Sequence, residues 1–257
     1  FMTEFASRLP RNIKVEYVKG LAGHQQYEIK EYFKEYKANV IHINYESDTG
    51  ELLEKTFSKA TNAPAIRREW MNKLPKEGAS LERVSGTPIT MSDFLNTDHL
   101  QYMYDSAFRV LPSSIDGLKQ VQRKIIYGLR KQSNPYEFRK VFQVAGAIAN
   151  TANYHHGDQS LNAAIINMAQ DYPGSNNIPL LAGKGFFGSR LELGDDAGQP
   201  RYIDVCISKI TDILFPKIDD DLLDHITEDN TIVEPYNYIP IVPILLINGC
   251  TAIGTGY

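Results

Sequence analysis

Two helical periods across a short glycine-bearing turn constrain this chain more than any other feature. VFQVAGAIANTA (141–152) and QSLNAAIINMAQDY (159–172) both place apolar or small residues at helical spacing. Between them YHHGD (154–158) reads as a turn ending in an N-cap aspartate, Asp158. Two helices joined this way make a helix-turn-helix candidate. A further helical segment, DGLKQVQRKIIYGLRK (116–131), precedes them, with Leu118, Val121, Ile125 and Leu129 on one face. Gly- and Asp-rich loops with short strands come next over 173–200, the pattern a wing requires, and Ile203, Val205 and Ile207 then alternate as a half-buried strand.

Upstream, NIKVEYVKG (12–20) alternates like a strand, YEIKEYFKEYKAN (27–39) reads as an amphipathic helix and VIHINYE as a short strand. AIRREWMNKL (65–74) is a second helix with Trp70 as core anchor. PKEGASLERVSGTPIT (75–90), rich in Gly, Pro, Ser and charge, is the candidate linker, and FLNTDHLQYMYDSAFRVL is one periodic helical segment. The apolar stretch 239–253 is interrupted by Pro240, Pro243, Asn248 and Gly249, so no membrane span is expected. No signal sequence is expected either. Two cysteines in 257 residues exclude a disulfide scaffold. Both ends read as cuts within a longer protein.

A net charge of −4 would argue against nucleic acid, but the average conceals two opposed blocks. Residues 109–140 hold eight basic residues against Asp116 and Glu137, a net of +6, and residues 215–235 hold seven acids against Lys217, a net of −6. The face of 116–131 opposite its apolar stripe carries Lys119, Arg123, Lys124, Arg130 and Lys131 with no acid between the first and last. Surface helices built for stability mix signs for i,i+4 pairing, whereas a single-sign face suits a phosphate backbone.

Other constellations are less specific. GKGFFG (183–188) fits GxGxxG, but that fingerprint needs a helix directly after it, and SRLELGDDAGQPRY has no helical period. Adjacent His155 and His156 do not project the same way and have no ligand partners at metal spacing; a histidine before a helix N-terminus is better placed beside an anion. Arg201–Tyr202 comes after a Gly/Pro approach and precedes a strand. A tyrosine oxygen attacking a phosphodiester needs such neighbouring cations. The residues alone thus describe a nucleic-acid-binding, winged-helix-like domain that is a candidate enzyme.

The ordered motifs go further. RVLPSSIDGLKQVQRKIIYG (109–128, with Gln120 where proline is usual), YHHGD, MAQDYPGSNNIPLL (168–181), GKGFFGSR (183–190), PRYI (200–203), VEPYNYIPIVPILLING and IGTGY (253–257) closely resemble the DNA-cleavage core of type IIA DNA topoisomerases. YHHG and VEP…YIPI are similar to the eukaryotic and large-DNA-virus enzymes. The resemblance implies an α+β fold: the C-terminal part of a TOPRIM α/β domain over 1–74, a linker over 75–90, a winged-helix (helix-turn-helix) catalytic domain over 91–200, and an active-site strand with the start of a tower domain over 201–257. It implies an ATP-dependent type II topoisomerase that cleaves both strands of a duplex through a 5′-phosphotyrosine link, passes a second duplex and religates. By resemblance, Tyr202 is the nucleophile, Arg201 supports the scissile phosphate, and Arg109 and His156 are further transition-state residues of the same site. Lys119, Arg123, Lys124 and Lys19 are expected to contact DNA, and Ile253 to wedge between base pairs. The partners implied are double-stranded DNA and a second copy of the chain. Mg2+ is expected on TOPRIM acids lying before Phe1 and ATP on a separate ATPase domain, so no metal ligand is expected in this chain. The implied location is the nucleus for a cellular enzyme, or host cytoplasm or nucleus for a viral one. The competing reading is a non-catalytic winged-helix DNA-binding module.

Overall fold

The structure, a computed structural model, describes residues 25–73, 87–228 and 231–254. The strand expected at 12–20, Lys19 and most of the expected linker lie outside the described residues.

The helix expected at 27–39 appears as α1 (Gln26–Lys34) and α2 (Tyr36–Asn39), interrupted at Glu35. The strand expected next is reduced to β1 (Ile43–Asn44), paired in parallel with β2 (Ile89–Thr90). Between these strands lie α3 (Thr49–Phe57) and α4 (Ala63–Met71). After β2, α5 (Met91–Phe94) starts at a capping box. Thr90 accepts from the Asp93 amide at 2.9 Å, and the Asp93 carboxylate accepts in turn from the Thr90 amide. It runs through a π-helical turn (Leu95–His99) into α6 (Leu100–Val110). Trp70 is buried, as its position in the apolar pattern predicts, and its indole N–H donates to Asn96 Oδ1 at 2.9 Å. It packs with Met71, Leu95, Leu100, Met103 and Ala107. Residues 91–107 therefore bury their apolar side chains with the helices before them, although periodicity groups them with the helices after them.

A second core begins at Leu118. The helices α7 (Gln120–Arg130), α8 (Val141–Thr151) and α9 (Asp158–Ala169) pack on an antiparallel sheet of β3 (Arg139–Lys140), β5 (Asp204–Ile207) and β4 (Leu181–Lys184), in that order. Ile125, Ile126, Val141, Ile148, Ile165 and Val205 have no exposed surface. Each stabilises the fold by about 1.5–3 kcal/mol relative to exposure. A Cβ on Gly128 would lie 2.9 Å from Ile148 Cγ1, so the glycine sets how closely α7 and α8 approach. Three sequence expectations shift here. Gly157 caps α9 and Asp158 is its first residue. The helix stops at Ala169, with Gln170 extended and Pro173 beyond it. Because β5 is the central strand, Cys206 is buried along with Val205 and Ile207, and the strand is covered on both faces.

The acidic region then folds back onto α7. It comprises α10 (Lys209–Leu214), a 3-10 turn (Lys217–Leu222) and a hairpin of β6 (His225–Glu228) and β7 (Thr231–Pro235). The final helix, α11 (Ile244–Asn248), sits on the turn before α7. Gly117 (φ +70°) is required there, since a Cβ would lie 2.6 Å from Leu245 N. No helix among the described residues is long and apolar enough to cross a membrane.

Candidate active site

Tyr202 lies in a turn that delivers the chain into β5. Its amide donates to Gln199 O at 2.8 Å, and the turn is fastened to the start of α8 by Val141 N–H to Ile203 O and Phe142 N–H to Pro200 O. The preceding loop is tight. Gly185 (φ +114°) packs where a Cβ would meet Ile203, and Gly198 N–H donates to Phe186 O at 2.9 Å. The phenol projects from this framework and is 70% exposed. Arg201 places its guanidinium 6.0 Å from the Tyr202 ring centroid. Two further groups meet the turn. Lys140 Nζ donates to Tyr202 O at 3.1 Å and to Asp204 Oδ2 at 2.9 Å. Lys140 stood in the sequence only as one of eight basic residues, and no pattern marked Asp204.

The structure corrects the basic face of α7. Arg123 is 1% exposed, with Nε on Asp116 Oδ2 at 2.8 Å and Nη2 on Leu118 O at 2.9 Å. Lys124 is also buried and donates to Ala152 O, Glu234 Oε2 and Glu228 Oε2 at 2.7, 2.8 and 3.2 Å. Arg130 pairs with Asp212 and Asp220 at 3.0 Å each. Arg123 and Lys124 thus face inward and present no charge to a phosphate backbone. Their helix lacks acids because the acids come from elsewhere: Asp116 from the preceding turn, Glu228 and Glu234 from the hairpin. Burial holds the Glu234 carboxyl above its ordinary value, against the hydrogen bond and charge of Lys124. The signal was present in the sequence as two blocks of equal and opposite charge. Of the three expected contacts on this segment, only Lys119 retains exposure. It caps α7, with its amide held by Gln122 Oε1 at 2.8 Å, and borders a cavity of about 300 Å3 with Gln122, Asn167 and Asn248.

Two other expected site residues are exposed but not gathered at Tyr202. Arg109 stands at the end of α6. His156 lies beyond the far end of α8, edge-on to Tyr154 with ring centroids 5.4 Å apart. Tyr202 is fastened at the start of α8, and a helix of eleven residues is about 16 Å long. Within one chain, α8 therefore holds Tyr202 and His156 apart. Ile253 is 89% exposed, beyond the left-handed Gly249 (φ +67°). Among the described residues no three His, Cys, Asp or Glu side chains are grouped to hold a metal, and Asp220 of the 219–221 run is already paired with Arg130. These residues do not fit a Mg2+ site. After Gly188 the chain makes turns rather than the helix a dinucleotide site needs.

With this geometry established, comparison with known proteins is specific. The family profile for the cleavage subunit of DNA gyrase/topoisomerase IV matches residues 109–257, and one described as the C-terminal associated domain of TOPRIM matches 3–107. DNA topoisomerase 2 of Bombyx mori is 41% identical over 254 residues, covering 95% of this chain and 16% of that protein. The Crithidia fasciculata enzyme of the same name is 39% identical, covering 94% of this chain and 19% of its own length. Human DNA topoisomerase 2-beta is 38% identical, with 95% and 16% covered. The chain thus spans less than a fifth of these relatives. The crystal structure of the Plasmodium falciparum topoisomerase II DNA-binding, cleavage and re-ligation domain superposes with a TM-score of 0.78 at 35% identity, covering all of this chain and 35% of that one.

Proposed function

Because this chain belongs to the DNA topoisomerase II family, we propose that it is the strand-cleaving part of a type II DNA topoisomerase, with Tyr202 as nucleophile. The observation that carries the reading is the turn 199–202. It holds one tyrosine on fixed backbone with its phenol exposed and a guanidinium beside it. The three helices and the β4–β5 hairpin support a winged-helix reading of this region, and the chain from 201 onward is read as the start of a tower.

The phenol gives up its proton and its oxygen attacks a phosphodiester in line. A tyrosine–phosphate bond forms at the DNA 5′ end, and the bond to the 3′ oxygen breaks. That oxygen takes up a proton and later reverses the step. The ester keeps the free energy of the phosphodiester, so resealing is chemically self-sufficient. Arg201 faces the charge that accumulates on the phosphate oxygens. Since one tyrosine cuts one strand, cleavage of a duplex calls for two copies of the chain. A second copy also answers the separation along α8: His156 and Arg109 of one protomer serve Tyr202 of the other. Lys119 and Ile253 are read as DNA contacts, Ile253 as an apolar wedge that bends the duplex. Membership of the family supports use of Mg2+ and ATP by the whole protein. Neither has a site among the described residues, and no step here is carried by either.

Tyr202→Phe tests the assignment. Covalent DNA–protein adducts trapped by denaturant should disappear, while DNA affinity stays within about twofold, because the lost hydroxyl is exposed and makes no fold contact. Adducts that persist in the variant would refute Tyr202 as nucleophile. Wild-type protein that binds DNA but never forms an adduct would favour the non-catalytic binding module.

A further inference from the structure

The backbone of Tyr202 is held at both ends while its side chain is held at neither. The amide is tied to Gln199 O at 2.8 Å, and the carbonyl accepts from Lys140 Nζ at 3.1 Å. That ammonium is itself anchored by Asp204 Oδ2 at 2.9 Å. The three groups come together through strand register. Lys140 on β3 faces Asp204 on β5, and Lys184 on β4 faces Asp204 from the other side, so one carboxylate lies between cations on both neighbouring strands. Charge-assisted hydrogen bonds are shorter and stronger than neutral ones, and this one ends on a peptide oxygen rather than on solvent. Fixing both peptide groups flanking a residue fixes its Cα–Cβ direction. For an exposed phenol, that leaves only the side-chain torsions to be set by substrate.

On the reading of Tyr202 as nucleophile, we propose that Lys140, anchored by Asp204, is a positioning residue for the cleavage reaction. It aims the Tyr202 oxygen at the phosphorus in the forward direction and holds the phosphotyrosine in place for attack by the 3′ hydroxyl in reverse. The same tether acts before and after the transition state, so its loss raises the barrier in both directions and leaves the balance between cut and sealed DNA unchanged. A simple phosphate contact behaves differently: its loss lowers affinity and the salt dependence of binding.

The experiment uses the full-length protein with a duplex oligonucleotide and Mg2+, comparing Lys140→Met, Lys140→Arg and Asp204→Asn. Single-turnover adduct formation and religation should both slow by about tenfold to a hundredfold in Lys140→Met, the cost of small misplacements at a reacting centre. The fraction of DNA in the adduct at equilibrium, DNA affinity and melting temperature should match wild type. Lys140→Arg, which keeps the charge, should recover most of both rates. Asp204→Asn keeps an acceptor but weakens the anchor, and should slow both steps by a smaller factor. It also serves as the deciding variant should Lys140→Met fold poorly. Wild-type rates in Lys140→Met or Asp204→Asn would overturn the proposal. So would a loss that tracks DNA affinity and its salt slope, or a failure of arginine to restore the rates. Absence of adduct in wild type, or its persistence in Tyr202→Phe, would instead overturn the underlying reading of Tyr202.

Discussion

Asp116 has no exposed surface, and three donors converge on its carboxylate: Leu118 N–H at 2.9 Å, Arg123 Nε at 2.8 Å and Tyr238 N–H at 3.0 Å. One side chain thereby fixes the turn into α7, neutralises a buried guanidinium and holds the segment before α11. Removing one partner of a buried pair leaves the other charged and unsatisfied, which costs about 3–5 kcal/mol. Asp116→Asn, which keeps the volume and loses the charge, should destabilise by about that amount in urea unfolding. A change below about 1 kcal/mol would mean that Arg123 finds water or another acceptor. In the sequence Asp116 is simply an acid inside a basic block. Its role depends on a partner seven residues along and another 122 residues away, distances at which spacing carries no signal.

At the level of elements, ionic contacts fasten the acidic region to α7 at two places: Lys124 to the β6–β7 hairpin, and Arg130 to α10 and the 3-10 turn. Burial would raise the Asp212 carboxyl, but hydrogen bonds from Tyr136 and Lys217 and the charge of Arg130 hold it below its ordinary value. A carboxylate lowered on folding contributes stability that is complete above its unfolded value, about pH 4, and is lost as pH falls through the lowered folded value. Asp220 and Glu234, raised by burial, act in the opposite sense: folding is favoured as acid protonates them. Asp212→Asn should therefore lower stability at neutral pH and flatten the acid limb of a plot of denaturant midpoint against pH. An acid limb of wild-type steepness in the variant would place the titrating group elsewhere. The helices themselves were legible from periodicity to within a few residues. The fate of their charged faces was not, because a charged face reads alike whether it meets solvent, phosphate or a distant acid.

For the whole molecule, the telling fact is that α8 stands between Tyr202 and His156. If two protomers share each cleavage site, a heterodimer of a Tyr202→Phe chain with a His156→Ala chain keeps one intact site: Tyr202 from the second chain with His156 from the first. It should nick one strand of a duplex at near the wild-type rate per site, whereas either homodimer should be impaired. Sites contained within single chains predict that the heterodimer is as defective as the homodimers, and a nicking assay on supercoiled plasmid separates the two. The two hydrophobic cores are also a whole-molecule result. The helical segment from Met91 is periodic with the helices after it, but Trp70 captures it, because side chains pack with whatever apolar face lies nearest in space.

The sequence by itself determined the elements of the catalytic region, the glycines its turns require and, through ordered motifs, the family and the tyrosine to test. These are local properties: helical and strand periods, φ above zero and short signatures are written in neighbouring residues. Only the tertiary structure decided that Arg123 and Lys124 point inward, that Lys140 and Asp204 brace Tyr202, and that His156 lies at the other end of a helix. Each of these depends on which distant segments meet. An ion pair or a cross-strand tether is stabilised by proximity of a few ångströms, and the order of residues along the chain does not encode that proximity.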